Sequence, residues 1–425
     1  MPDRDVESAK SLLSSPQADD DLAGFPPRSL WGEGGLRGRW RRAGSVMGCL
    51  PPWMHTVLLG LPVLLMGWAL GRSSVKRMPV VLTVSPNPVT TYDFSELWPE
   101  VRNTARMFQQ RPRDGITIED LDEVEQGDGT RVSVVDGQLY VKRWNGEWTK
   151  RSEAVLASLH EAIVTSPDPF PNVEFWFRAT DNIGYGAHFG LTKEAGSPLW
   201  LLPDFGFFSW PEPRVLGWQD ARRKAIEVES TLNFTDKEPK LFWRGVSSLG
   251  SLRNLLREAA EGKEWNDVGE IDWATGAGRI PMEEHCRKQF LASADSHSYS
   301  GRLKYLLLCR SVVVTHRKRW KQHFHGALDG REGSPTQNWV ELEHENWDGL
   351  DETMERLLKD REWAARVAEN AQRSMRDRYL TPASVACYWR RVLAEYAALQ
   401  RFTPTPGGID YESFILVREI DYPPH

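Results

Sequence analysis

The stretch ADSHSYSGRLKYLLLCRSVVV, residues 294–314, contains three structural signals in immediate succession. A serine-rich loop comes first, and residues 302–309 (RLKYLLLC) follow it with an apolar pattern that suits a helix. Residues 311–316 (SVVVTH) come next and are rich in the β-branched residues typical of strands. A helix that leads directly into a strand is typical of α/β proteins.

Two further apolar runs place polar residues at the ends of strands. Residues 173–181 (VEFWFRATD) predict a buried strand that delivers Asp181 at its C-terminal end. Residues 241–243 (LFW) predict a second strand that ends at Arg244-Gly245. Ligands of α/β proteins gather at the C-terminal ends of strands. We therefore expect the site near Asp181, Arg244 and the loop 296–302.

The remaining periodicity completes an α/β assignment with largely parallel sheets. Asp136-Gly137 lies between two alternating segments and predicts a β-hairpin. Residues 153–165 and most of 350–400 carry helical periodicity. The chain of 425 residues is long enough for two domains with appendages, and its 40% hydrophobic and 26% charged residues are those of a globular protein.

Charge and aromatic content restrict the function. A net charge of −6 is too small and of the wrong sign for a protein that binds nucleic acid through phosphate contacts. The 19 tryptophans have two interpretations. They stack against the apolar faces of sugar rings, or they fill the core.

Residues 49–71 predict one transmembrane signal-anchor, because they contain the apolar run MHTVLLGLPVLLMGWALG (residues 54–71). Arginines are denser before this run than basic residues are after it, which favours a cytosolic N-terminus. We expect residues 1–48 to form a disordered cytosolic tail and residues 72–95 a stem. A cleaved signal peptide and a buried core helix are the alternatives.

Cysteine content and one sequon bear on the compartment. Cys49 lies at the edge of the apolar run, so the three remaining cysteines allow at most one internal disulfide in the folded part. A lumenal location would make Asn233, in the triplet Asn233-Phe234-Thr235, a candidate glycosylation site.

The serine-rich loop is also the best candidate for an anion site. Ser298, Ser300 and Gly301 precede the predicted helix, and Arg302 opens it. Free backbone N–H groups, small hydroxyls and a guanidinium bind phosphate together. Arg244-Gly245 is a weaker signal of the same kind. Such a loop also serves as a simple helix cap.

Several strings in a fixed order resemble glycosyltransferase family 90, which includes fungal capsule-associated xylosyltransferases and animal protein O-glucosyltransferases. The resemblance covers about residues 118–400. The strings that carry it are VVDGQLYVK (134–142), NVEFWFRATD (172–181), PDFGFFSWPEP (203–213), KLFWRG (240–245), SYSGRLKYLLLCRSVVV (298–314) and CYWRRVLAEY (387–396).

The resemblance implies a GT-B-like fold of two Rossmann-like domains with a cleft between them. Residues 96–238 would form the acceptor-side domain and residues 239–385 the donor domain, with residues 386–425 as a C-terminal helix and tail. It also implies inverting transfer of xylose or glucose from a UDP-sugar to an acceptor hydroxyl. No metal or other cofactor is expected.

The resemblance assigns roles to individual residues. Asp181 matches the catalytic base, which removes the acceptor proton. Arg244, with Gly245, matches an arginine-glycine motif, and Ser300 and Arg302 match a serine-x-arginine pair that faces the diphosphate. Ser298 belongs to the same loop. A disulfide between Cys286 and Cys309 and a free thiol at Cys387 are also implied.

The sequence departs from the family pattern at Arg178-Ala179-Thr180-Asp181 and at Asn338-Trp339-Val340-Glu341, which leaves the acceptor open. The chain ends in DYPPH, without a KDEL-like signal, so a Golgi membrane is favoured over the endoplasmic reticulum. The expected partners are a UDP-sugar, a glycan, glycolipid or protein acceptor, and the bilayer. The alternative is a non-catalytic, membrane-anchored glycan-binding protein on the same fold.

Two further motifs are interpreted as structural. Asp120-Leu121-Asp122 has the form of a metal-binding Asp-x-Asp motif, but it lies in an acidic stretch that predicts a solvated helix face. The basic run HRKRWKQHFH (316–325) lacks metal-ligand spacing and predicts a surface or cleft edge. His285-Cys286 is interpreted as structural.

Overall fold

The computed structural model describes residues 93–417, except 114, 125–128, 145–148, 182–185, 211–214 and 273. The predicted tail (1–48), signal-anchor (49–71) and nearly all of the stem (72–95) lie outside the described residues. Within the described part, every helix is too short or too polar to cross a bilayer.

Fifteen strands are described. They are β1 (Thr130–Val135), β2 (Gln138–Arg143), β3 (Val173–Phe177), β4 (Phe189–Gly190), β5 (Lys193–Glu194), β6 (Trp200–Leu201), β7 (Ser209–Trp210), β8 (Leu216–Gly217), β9 (Glu238–Gly245), β10 (Asn266–Glu270), β11 (Lys288–Ser293), β12 (Val312–Thr315), β13 (Trp320–Lys321), β14 (Val340–Glu341) and β15 (Ile409–Asp410).

Ten α-helices accompany them. They are α1 (Pro99–Gln110), α2 (Ile118–Val124), α3 (Thr149–Val164), α4 (Trp218–Glu229), α5 (Ser251–Ala260), α6 (Leu303–Leu306), α7 (Leu350–Lys359), α8 (Arg361–Ala371), α9 (Pro382–Leu399) and α10 (Tyr411–Val417). A π-helix (Gln372–Tyr379) connects α8 to the segment before α9.

The second sheet is fully parallel, in the order β10-β9-β11-β12-β14. Its side chains alternate between two apolar cores. Leu291 and Val313 belong to the core shared with the first sheet, whereas Phe290 and Val312 pack with α7 and α8. Burial on both faces is what a parallel sheet requires.

The first sheet differs from the expected Rossmann-like, largely parallel arrangement. Its order is β15-β2-β1-β3-β4-β6, and only the β3-β4-β6 portion is parallel. The Asp136-Gly137 hairpin explains the difference. Both residues have positive φ (51° and 80°), so β1 turns back directly onto β2 and makes this half of the sheet antiparallel.

The chain passes from the first sheet to the second through α4 and returns at its end. Helix α9 packs against α3 and α1, and β15 then pairs with β2 at the edge of the first sheet. The C-terminal elements therefore contribute to the structure around the first sheet. The small β5–β13 ribbon also links segments from the two halves of the chain.

The predicted helix at 302–309 is shorter than the sequence indicates. Only Leu303–Leu306 is α-helical, and turns follow as far as Ser311. The strands predicted within residues 173–181 and 311–316 are confirmed, over the shorter ranges Val173–Phe177 and Val312–Thr315, and every residue in both is buried. Helical structure over most of 350–400 is also confirmed, with a break where Asp360 caps α8.

Candidate active site

A cavity of about 530 Å³ opens at the carboxyl end of β9, and five of the side chains that line it belong to arginine or lysine. Its apolar wall includes Trp210, Ile271, Ile280 and Met282. Apolar walls combined with a few convergent charges are typical of small-molecule sites. The basic side chains that line it, apart from Arg244, are Lys224, Arg253, Arg279 and Arg302, against one acid, Glu283.

Arg302 is the sequence-predicted cation that enters this cavity. Its guanidinium lies over the Trp243 indole, 5.8 Å from the ring centroid, and donates to the carbonyl oxygen of Arg244. Among the described residues, no carboxylate pairs with it within 4 Å. Burial lowers the pKa of Arg302 to about 9, and the nearby Arg253 adds to the shift. The guanidinium stays charged at neutral pH, without a carboxylate partner in the part of the chain that the structure describes.

Gly245 makes room for that guanidinium. A Cβ atom at Gly245 would lie 2.5 Å from Cζ2 of Trp243 and 3.2 Å from Nη2 of Arg302. Any side chain here would displace the indole or the arginine. The glycine is therefore a steric requirement of the site.

Arg253 is another cation in the cavity, and no sequence pattern predicted it. It projects from α5, is 8% exposed, and donates from Nη1 to the carbonyl oxygen of Val246 over 2.9 Å. Its guanidinium also lies over Trp243, and its Nε has no hydrogen-bond partner. Burial lowers the pKa of Arg253. Among the described residues, it likewise has no carboxylate within ion-pair distance.

Arg244 lines the cavity, but its charge is already compensated. Its guanidinium pairs with Asp267 at 2.5 Å and lies over the Phe242 ring. Lys288 binds the other oxygen of Asp267 at 2.8 Å. Arg244 therefore stabilises the β9–β10 edge, and its backbone carbonyl, not its guanidinium, contacts Arg302.

Asp181 lies four positions after the end of β3 and is not among the residues that line the cavity. Its Oδ1 lies 3.4 Å from Nη1 of Arg151, and its side chain is 44% exposed. The surrounding protein still removes part of its hydration, which raises the pKa of Asp181, while Arg151 opposes the rise. Asp181 and Arg253 are close enough for each charge to affect the pKa of the other group.

The serine loop leads into Arg302, but Ser298 and Ser300 are not among the residues that line the cavity. Ser298 and Ser300 are buried, and the hydroxyl of Ser298 has no partner. The loop backbone also approaches the start of α5, because a Cβ at Gly250 would lie 3.2 Å from Ser296. Helix α6 is only four residues long, so its N-terminus adds little to anion binding. The guanidinium groups dominate.

The model of glycosyl transferase family 90 matches residues 101–408, which is most of the chain and all of this site. The chain belongs to glycosyl transferase family 90. It is a glycosyltransferase, and the expected family assignment is confirmed.

Curated relatives agree with the family. O-glucosyltransferase rumi of Drosophila pseudoobscura pseudoobscura is 25% identical over 65% of this chain and 72% of its own length. The rumi homolog of Anopheles gambiae is 27% identical over 48% of this chain and 53% of its own length. Human protein O-glucosyltransferase 1 is 20% identical over 65% of this chain and 74% of its own.

This chain contains a disulfide between Cys286 and Cys309, the pair that the resemblance implied. Cys387 is free and partly buried. Asn233 is exposed beside the 3₁₀ turn Phe234–Asp236, so the sequon is on the surface. Most of the described tryptophans are buried in the core, whereas Trp210 lines the cavity.

Two interpretations of charged runs need correction. Asp120 is not on a solvated face, because it is buried and paired with Arg111. The run 316–325 is not mainly a surface, because its histidines and Lys318 are buried. Lys318 pairs with Asp295 at 2.7 Å, which explains how a lysine is accommodated there.

Proposed function

We propose that this protein is an inverting glycosyltransferase that moves glucose or xylose from a UDP-sugar to an acceptor hydroxyl without a metal ion. Asp181 would act as the base, and Arg302 and Arg253 would bind the diphosphate. The names of the O-glucosyltransferase relatives support glucose as the first sugar to test.

One observation carries the proposal. Arg253 and Arg302 both lie against Trp243 in one cavity, and neither has a carboxylate partner among the described residues. Two largely buried guanidinium groups repel one another and are poorly hydrated. A diphosphate that accepts hydrogen bonds from both would relieve that cost and fits the charge. The apolar wall of the cavity would contact the base and ribose.

The proposed chemistry follows from where charge develops. The acceptor oxygen attacks C1 of the sugar as Asp181 removes its proton, and the bond from C1 to the diphosphate oxygen breaks. A carboxylate at hydrogen-bond distance from the hydroxyl suits the first role. Preorganised cations that receive the departing diphosphate suit the second, because they stabilise negative charge that grows in the transition state.

The partial desolvation of Asp181 is consistent with such a base. Partial desolvation raises its pKa and increases its affinity for the proton, while Arg151 keeps the ionised form accessible. These opposing effects favour a base that is ionised at neutral pH and still basic enough to accept a proton.

We also propose that the enzyme works in the lumen of the Golgi or endoplasmic reticulum, anchored through residues 49–71 as a type II protein. The Cys286–Cys309 disulfide and the exposed sequon at Asn233 support an oxidising compartment. Peptide-N-glycosidase sensitivity of the Asn233-dependent mobility shift tests this location. An unglycosylated, carbonate-extractable protein would contradict it.

A donor panel tests the activity. The purified full-length protein is incubated with UDP-glucose, UDP-xylose, UDP-galactose and GDP-mannose, and release of the nucleotide is measured with and without EDTA. We expect release from UDP-glucose or UDP-xylose that survives EDTA. Release from none of the UDP-sugars, or release that depends on the divalent ion, would contradict the proposal.

The variant Asp181→Asn assigns the base. We expect turnover to fall by about 10²- to 10⁴-fold with UDP affinity nearly unchanged, because a general base contributes that much and does not bind the nucleotide. Asp168→Asn, which changes an exposed carboxylate, is the matched control. Near-normal turnover in Asp181→Asn would remove this residue from the mechanism.

A further inference from the structure

A second carboxylate, Asp204, is fully buried and near enough to the proposed base for its charge to raise the pKa of Asp181. Both oxygens of Asp204 are occupied. Oδ1 accepts from Nζ of Lys304 over 2.6 Å and from the backbone N–H of Gly206 over 2.7 Å, and Oδ2 accepts from the hydroxyl of Tyr299. The side chains of Asp204 and Lys304 are both 0% exposed.

The ammonium group of Lys304 also lies among aromatic rings. Its Nζ is 4.9–5.9 Å from the ring centroids of four residues, which contribute cation–π attraction. It donates to the carbonyl oxygen of Gly301 over 2.6 Å as well. The four rings belong to Phe205, Phe207, Trp210 and Tyr305.

This cluster joins the two parts of the site. Asp204 follows β6 and Asp181 follows β3, and both strands belong to the first sheet. Tyr299 and Lys304 follow β11 of the second sheet and flank Arg302 in sequence. One buried ion pair and one hydrogen bond therefore connect the segment next to the base with the loop that presents the cation for the diphosphate.

Two glycines leave the space that the connection needs. A Cβ at Gly206 would lie 2.6 Å from Cε and 2.7 Å from Nζ of Lys304. A Cβ at Gly301 would lie 3.4 Å from the Trp210 ring. The segments PDFG (203–206) and SYSGRLK (298–304) therefore pack against each other at this contact.

The charges around Asp181 come from four directions. Arg151 on α3 pairs with it, Arg253 on α5 and His297 in the serine loop favour its ionised form, and Asp204 opposes ionisation. Arg151 also contacts the Phe205 ring at 4.8 Å. Other charged or titratable groups that face the cluster are Tyr299 and the buried, neutral His323.

We propose that Asp204, Lys304 and Tyr299 form a positioning network that holds the serine loop in register with Asp181 and neutralises the second carboxylate beside that base. This inference rests on the proposed role of Asp181. The network itself does not touch the reacting atoms. The positive charge of Lys304 opposes the field of Asp204 and so favours the ionised form of Asp181.

Opposite charge changes within the network provide the test. The pH dependence of kcat/KM for UDP release from UDP-glucose is measured for Lys304→Met, Asp204→Asn and the double variant. Lys304→Met leaves a negative charge near Asp181, so the acid limb should move to higher pH by roughly half a unit or more. Asp204→Asn leaves a positive charge, so the limb should move to lower pH. The double variant should return it close to the wild-type position.

Lys237→Met is the matched control. Lys237 forms another buried pair, with Glu229 at 2.5 Å, away from Asp181. Its loss should lower the melting temperature without moving the acid limb. If Lys304→Met and Asp204→Asn reduce activity without opposite displacements, their role is structural and the proposal is overturned.

Tyr299→Phe covers the case in which the single-charge variants do not fold. It removes only the hydroxyl that donates to Asp204, and it should move the acid limb to higher pH while UDP affinity is retained. An unmoved limb overturns the proposal. Asp181→Asn separates the two hypotheses. Normal turnover in Asp181→Asn refutes the role of Asp181 as the base. If Asp181→Asn is inactive but the acid limb does not move in the network variants, only the positioning network is refuted.

Discussion

Two arginines near the same cavity differ in whether their charge is available to a ligand. Arg244 was the residue indicated by sequence, yet Asp267 neutralises it. Arg253 was not indicated, yet it is buried, lacks a carboxylate partner among the described residues, and has an unpaired Nε. A free charge in a desolvated site binds an anion far more strongly than a paired one.

This difference gives a prediction for UDP binding. Arg253→Ala should weaken UDP affinity by about 10- to 100-fold, because a hydrogen bond between charged groups contributes roughly 1.5–3 kcal/mol. Arg244→Ala should mainly lower the melting temperature, because it leaves Asp267 with only Lys288. Calorimetric titration with UDP measures both, and Arg102→Ala on the exposed face of α1 is the control. A larger affinity loss in Arg244→Ala would reverse the assignment.

At the scale of single elements, local pattern predicted strands and turns well. The Asp136-Gly137 turn and the buried strands β3 and β12 follow from composition and alternation alone. The length of helix α6 was overestimated, because the apolar residues 305–309 serve to fill the core and do not extend the helix. All five of these residues are buried in the core shared with the first sheet, and the disulfide joins Cys309 to Cys286 within that core.

The site was predictable only in part, for a related reason. Asp181 and Arg302 stand at the ends of recognisable strands and loops. Arg253 stands within SLRNLLREAA, where spacing does not say which arginine turns inward. Arg253 contacts the carbonyl oxygen of Val246 and the ring of Trp243, which lie outside its helix, so helical periodicity alone does not identify it.

The disulfide should stabilise the element that carries Arg302. Cys286 precedes β11 and Cys309 follows α6, so the bond closes a loop with a sequence separation of 23 that includes the serine loop. The double variant Cys286→Ser/Cys309→Ser should lose about 3 kcal/mol of unfolding free energy and part of its UDP affinity. Chemical denaturation and UDP titration measure these. Cys387→Ser should change neither, and equal losses in that control would show that the effect is not specific to the loop.

At the scale of the whole molecule, buried histidines couple stability to pH. Burial lowers the pKa of His188, His285, His316 and His323 to about 3 in each case. In the unfolded chain each would titrate near 6.5. The unfolded state therefore binds protons that the folded state excludes, and stability must decrease as the pH falls below about 6.5.

The size of this effect makes it measurable. Each such histidine contributes about 1.4 kcal/mol of destabilisation at a pH one unit below its unfolded pKa, so four together approach the whole stability of an ordinary domain.

His323 is the best single test, because neither ring nitrogen has a partner and its ring packs against Phe207, Phe324 and Tyr388. His323→Phe should keep that packing and remove one proton from the difference between the two states. Denaturant unfolding between pH 7 and pH 5 should then show a shallower loss of stability than in the wild type, whereas His344→Phe, at an exposed position, should leave the slope unchanged. An identical slope in His323→Phe would mean that this ring takes up a proton in the folded protein.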